Sequence, residues 1–193
     1  MKKIAIDDLM GLAAYEKVRP QFRQEIIDYK KHRRLSVGDR ISLVFEDRKT
    51  VLFQIQEMIR AEKITDLDKI KEEVDVYNAL IPDPGELSAT FLIEIEEQSN
   101  IRNDLLKFSG IDEAVYLQIG KKHKVRAIFE EGHSKEDKIS AVQYVRFHLT
   151  PEEREAFIAG REESFLSVEH SNYQARAKIP EETRESLSRD LTE

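Results

Sequence analysis

Ile139-Ser140-Ala141-Val142-Gln143-Tyr144-Val145-Arg146-Phe147-His148-Leu149, followed at once by Thr150-Pro151-Glu152-Glu153, decides how this chain is read. In the first part Ile139, Ala141, Val145, Phe147 and Leu149 fall on one side, with Gln143 as a polar interruption. Tyr144, Arg146 and His148 fall on the other. A period of two with one apolar side predicts a strand over Ile139–Leu149. The four residues after it predict a helix start. Threonine caps, proline takes the first helical position, where its missing N–H costs nothing, and Glu153 reaches back to close a capping box.

Upstream, the same alternation runs through Leu87–Ile95, Val115–Ile119 and, after a turn at Lys121–His123, Val125, Ala127 and Phe129. Between the first two of these, Ile101, Leu105 and Phe108 keep helical spacing, and Gly110 closes the helix. Downstream, Phe165–Lys178 shows no regular pattern, and a short helix is predicted from Pro180 to Leu191.

Pro82-Asp83-Pro84-Gly85 forbids regular structure and marks the main internal joint. Before it, Arg19-Pro20 reads as the start of a helix running to His32, with Phe22, Ile26 and Tyr29 on one face. Gly38-Asp39 turns the chain into a strand over Arg40–Glu46. Thr50–Lys63 fits two patterns: Val51, Phe53 and Ile55 alternate, yet Val51, Ile55, Met58 and Glu62 keep helical spacing. The helix formers of Gln56–Lys63 favour the helix. Thr65 then caps a further helix carrying Ile70, Val74 and Tyr77.

Adjacent strands with helices before and after predict an α+β fold, a mostly antiparallel sheet with flanking helices. One domain is expected over residues 1–193, with a helical N-terminal lobe at 1–81 and a sheet-rich part at 86–193.

The chain has 193 residues, 40% apolar and 36% charged, with a formal charge of −7. That charge argues against a general nucleic-acid binder, which needs a basic surface to release counterions. Basic residues nevertheless cluster at Lys30–Arg34 and Lys121–Arg126, and the C-terminal stretch is acidic, a dipolar surface suited to protein partners or small anions. At a helix C-terminus the first cluster complements the macrodipole; an anion or acidic-partner site is the sharper alternative. The absence of cysteine excludes disulfides, thiolate nucleophiles and thiolate-held metal sites. The N-terminus turns acidic before a signal peptide develops, and no window approaches the ~20 apolar residues of a membrane span. A cytoplasmic location, with no membrane association, is expected.

Phe53-Gln54-Ile55-Gln56-Glu57-Met58, Tyr77-Asn78-Ala79-Leu80-Ile81-Pro82, Ser140-Ala141-Val142, Tyr144-Val145-Arg146-Phe147 and His170-Ser171-Asn172-Tyr173 resemble, in order and over nearly the whole chain, a bacterial family known as domain of unknown function 3501. The resemblance implies a redox or peroxide-stress setting, with a rubrerythrin-like or iron–sulfur redox protein as partner. Gln143 stands where the family pattern often has histidine, and Ser171 where it has proline. Both departures weaken a metal site built on these positions.

No phosphate loop, dinucleotide fingerprint or nucleophile elbow is present. Glu130-Glu131-Gly132-His133 spells half of a di-iron motif, but it follows a strand, contains glycine and occurs once. No metal and no cofactor are therefore expected. Tyr144, Arg146 and His148 stand side by side and suit an anion or a ring; the plainer reading is a solvated sheet face with Arg146 paired to Glu94 or Glu96. Gln54 and Glu57, with Arg60, share a helix side able to make directional hydrogen bonds; the plainer reading is an ordinary Glu57–Arg60 surface pair. His170 and Tyr173 lie in an irregular segment of the kind that carries binding residues; the plainer reading of His170 is a hydrogen-bonding surface residue. Two functions are weighed on these grounds. One is an accessory or binding protein without catalysis of its own, linked to a cytosolic redox system. The other is an enzyme or sensor for a small anionic ligand held by Arg146, Tyr144 and His148.

Overall fold

The computed structural model describes residues 1–95, 100–130, 134–135 and 138–192. Helix α1 (Leu12–Lys31) leads into strands β1 (Arg34–Val37) and β2 (Ile41–Glu46), then helices α2 (Arg48–Glu62) and α3 (Leu67–Asn78). Strand β3 (Glu86–Ile93), helix α4 (Ile101–Leu106) and strands β4 (Val115–Ile119), β5 (His123–Arg126) and β6 (Ile128–Phe129) follow. The short pair β7 (Ser134–Lys135) and β8 (Lys138–Ile139) precedes β9 (Val142–His148) and helix α5 (Pro151–Ala159). Strands β10 (Ser164–His170) and β11 (Tyr173–Lys178) and helix α6 (Glu181–Asp190) complete the chain.

The fold is α+β. Its strands form an antiparallel sheet of order β1-β2-β3-β9-β6 and a second of order β11-β10-β4-β5, besides the β7–β8 pair. The four strands predicted to share one sheet therefore divide between two. The division occurs at Ala127, within the stretch Val125–Phe129. Its N–H bonds the Val115 carbonyl at 2.9 Å in the smaller sheet. The next residues, Ile128 and Phe129, pair with Arg146 and Val145 in the larger one. Alternation continues through such a bend, so the pattern does not reveal it.

Leu43, Phe45, Leu87, Phe91, Val145 and Phe147 of the larger sheet share a core with Val115, Leu117, Leu166 and Val168 of the smaller, closed by Phe157 of α5 and Leu187 of α6. The opposite face of the larger sheet, expected to be wet, is largely covered. Ser42, Glu46 and Ser88 on it are polar and buried. Over it lies a second apolar cluster that includes Val51, Ile55 and Ile59 of α2 and Val74 of α3, with Tyr144 of β9 packed against it.

Residues 50–62 lie in helix α2, and Lys63 caps its end in the left-handed conformation. The Asp47 carboxylate caps its start, accepting the Thr50 N–H at 2.8 Å. Asp66, one residue beyond the expected Thr65, caps α3. Helix α1 begins at Leu12, with Pro20 in its interior rather than at its start. An interior proline costs a hydrogen bond and clashes with the preceding turn. Tertiary contacts offset that cost, because Tyr15 is fully buried and Arg19 grips Glu57 of α2. Phe165–Lys178, read as irregular, lies within the β10–β11 hairpin. There Leu166, Val168 and His170 point inward, while the edge strand β11 turns Gln174, Arg176 and Lys178 to solvent. Glu131-Gly132-His133 of the half di-iron motif lie outside the described residues.

Candidate functional site

The β9 residues meet an internal acid. Arg146 Nη1 lies 2.6 Å from Glu86 Oε2 of β3, and Nη2 donates to the Ala79 carbonyl at the end of α3. His148 Nδ1 lies 2.7 Å from the other Glu86 oxygen. Glu86 thus gathers both side chains, as register dictates, for it sits directly opposite His148. The expected partner Glu94 instead pairs with Arg34 at 3.2 Å, and Glu96 lies outside the described residues. Tyr144 is half-buried beneath α2 and α3. Burial, reinforced by the charges of Glu46 and Glu130, pushes its hydroxyl pKa up.

His170 and Tyr173 come together around Phe108, away from Arg146 and in the other sheet. The buried imidazole stacks on Phe108 with its Nε2 2.7 Å from the Ser109 carbonyl. Its Nδ1 accepts the Asn172 N–H at 3.2 Å, which places the ring proton on Nε2. The Tyr173 hydroxyl donates to the Val37 carbonyl at 2.7 Å and accepts the Arg40 N–H at 3.1 Å. It lies 2.1 Å from where a Cβ on Gly38 would project, so only glycine fits beneath it. Tyr173 fastens one sheet to the turn of the other.

Glu57 faces α1. Its carboxylate takes Arg19 through two bonds of 2.8 and 2.9 Å and accepts from the Tyr15 hydroxyl at 2.8 Å. Arg19 outweighs the effect of burial and, with Tyr15, holds the Glu57 pKa down to about 2. Gln54, nearby on α2, is half-buried. The sequence candidates therefore occupy three places: the β9–β3 pair, the Phe108 contact and the α1–α2 seam.

A fourth place was not singled out. Arg33 is 0% exposed, inside the basic run that closes α1. Its guanidinium binds Asp190 of α6 at 2.5 and 3.3 Å, Asp47 at 3.3 Å and the Phe45 carbonyl at 2.9 Å. Burial opposes the Arg33 charge, but Asp190 and Asp47 prevail and raise its pKa. Tyr29 donates to Asp47, and burial together with that bond pushes the phenol up to about 12. The rest of the run disperses, Lys31 to Asp28 at 2.7 Å, His32 to Glu182 at 2.9 Å and Arg34 to Glu94. Composition announced the run; only the fold separates Arg33 from its neighbours.

Outside this network opens a cleft of about 460 Å³, lined among others by Phe22, Tyr29, Arg48, Lys49, Leu52 and Arg189. A second concavity, of about 340 Å³, lies between the N-terminal segment and helices α2 and α3 and is mainly apolar, with Leu9, Met10, Ile59, Ile64, Leu67 and Ile70 in its wall. Among the described residues, no group of three or more His, Asp or Glu is placed to hold a metal ion. No helix among them is long and apolar enough to cross a membrane.

A family model described as "Protein of unknown function (DUF3501)" matches residues 3–191. The chain belongs to the DUF3501 family. This DUF3501 chain is similar to a protein from Burkholderia pseudomallei K96243 whose 1.90 Å crystal structure is described as that of a novel protein of unknown function. The two are 36% identical with a TM-score of 0.92, over 98% of this chain and 100% of that one. No curated protein matches this DUF3501 sequence.

Proposed function

We propose that this DUF3501 protein acts by binding another protein, as an accessory factor without catalysis of its own. The observation that carries the proposal is the apolar groove between the N-terminal segment and helices α2 and α3. In its wall Leu67 is 68% exposed and Met10 42% exposed. Open apolar concavities flanked by solvent-exposed apolar side chains are the anchor points on which partner segments dock. The distribution of the polar candidates also supports binding over catalysis, since the β9 residues and the Phe108 residues lie apart and bond within the chain. The family resemblance supplies the setting, a cytosolic redox or peroxide-stress system. A rubrerythrin-like or iron–sulfur protein is accordingly the first partner to try.

Leu67→Glu tests this. The position opens α3, where an acidic residue suits the helix dipole, so the fold should be retained. Capture from the native cell, with wild type and variant compared quantitatively, should show a specific partner lost with Leu67→Glu. Direct titration of the purified partner should show the same loss. Equal capture by both forms would refute the groove as the docking site. A second reading, a sensor of a small anion, is favoured by the cationic cleft rather than by Arg146.

A further inference from the structure

We propose that the cleft between α1, the start of α2 and the end of α6 binds a small organic anion: a carboxylate or phosphate carried on an apolar body. It gives the second reading a location and a ligand class, and it stands independently of the groove.

Charge comes first. Four cations surround the cleft: Arg33 behind it and Arg48, Lys49 and Arg189 in its wall. Three carboxylates answer them. Asp47 and Asp190, both also in the wall of the cleft, serve Arg33, and Asp8 pairs with Arg48 at 2.7 Å. Among the described residues, Lys49 and Arg189 have no carboxylate within ion-pairing distance, and both are exposed. Lys49 Nζ instead rests 4.7 Å over the Tyr29 ring. In a protein of net charge −7 this is a local cationic excess, set in a concavity.

Donors come second. Arg48 lines the cleft with its Nη2 already held by Asp8 at 2.7 Å. Arg189 presents a planar donor group able to take two oxygens at once, while Lys49 adds a point charge. The apolar side chains come third. Phe22, Leu52, Met1 and the Tyr29 ring supply walls for a ring or short chain, and the volume is that of a small-ligand site. A bare inorganic ion would leave these walls unused.

The test is titration of the full-length ¹⁵N-labelled protein with phenyl phosphate, benzoate and inorganic phosphate, followed by amide shifts. Saturable shifts at Arg48, Lys49, Leu52 and Arg189 are expected with phenyl phosphate or benzoate, and whichever binds more tightly names the head group. Inorganic phosphate should bind more weakly. Lys49→Gln and Arg189→Gln, both at exposed positions, should each weaken binding about tenfold, the loss of one charge-assisted contact. Leu67→Glu should leave this binding unchanged, which separates it from the groove. The proposal is overturned by no saturable response to either organic anion, by unchanged affinity in the double variant, or by inorganic phosphate binding as tightly as phenyl phosphate.

Discussion

Arg146 is a long cation in mid-strand, a place that favours β-branched and aromatic side chains. It is tolerated because Glu86 and the Ala79 carbonyl take its guanidinium at two different nitrogens. Lysine keeps the charge but cannot divide its contacts in that planar geometry. Arg146→Lys should therefore lower stability by about 1–2 kcal/mol in urea unfolding. Unchanged stability would mean that the pair contributes nothing measurable. Glu57 carries a pH dependence. Its folded pKa, about 2, lies below the ordinary value of 4.5, so its stabilisation is complete above pH 4.5 and is lost as pH falls from there through about 2. Glu57→Gln should cost about 1–2 kcal/mol near neutral pH, after allowance for partial exposure. Urea midpoints of the two forms should converge between pH 4 and 2. A constant gap between them would show that the loss is packing rather than charge.

Helices α1 and α5 place opposite demands on the reader. The α5 start is complete within Thr150–Glu153: Thr150 N–H donates to Glu153 Oε2 at 2.8 Å, and the Thr150 hydroxyl accepts from the Glu153 N–H at 3.3 Å. Every partner lies within one turn, so the box was legible in the sequence. Thr150→Ala should remove about 1 kcal/mol, measurable as a fall in melting temperature. Helix α1 is the reverse case. Pro20 signals a start, yet the helix extends before it because Tyr15 and Arg19 bond a residue of α2, far along the chain. Pro20 is exposed, so Pro20→Ala restores a backbone bond without disturbing packing. A gain of about 1–3 kcal/mol is expected in thermal unfolding. A loss would show that the proline sets the angle of α1 on α2.

Across the whole molecule, the Arg33 network joins the first helix, the start of the second and the last. Buried ion pairs contribute little relative to apolar replacements, but breaking one strands the surviving charge. Asp190→Ala should thus destabilise by about 3–5 kcal/mol in urea unfolding. It should also loosen the cleft, because Asp190 belongs to both. A change under 1 kcal/mol would show that Asp47 alone satisfies Arg33.

The sequence by itself determined the α+β class, the strands with clear alternation and the α5 cap, while for 50–63 it favoured a helix over a strand and left the choice to the structure. Each depends on residues close along the chain. Period and capping report that a side chain is buried or a terminus satisfied; they do not report what lies against it. The tertiary structure decided the split into two sheets at Ala127, the covering of a polar sheet face by α2 and α3, and the β10–β11 hairpin hidden behind small and charged residues. It also decided the partners of Arg33 and Arg146, which lie 157 and 60 residues away. At such separations a charge in the sequence has many potential partners. Only the fold, by bringing β3 beside β9 and α6 against α1, selects which of them is within hydrogen-bond reach.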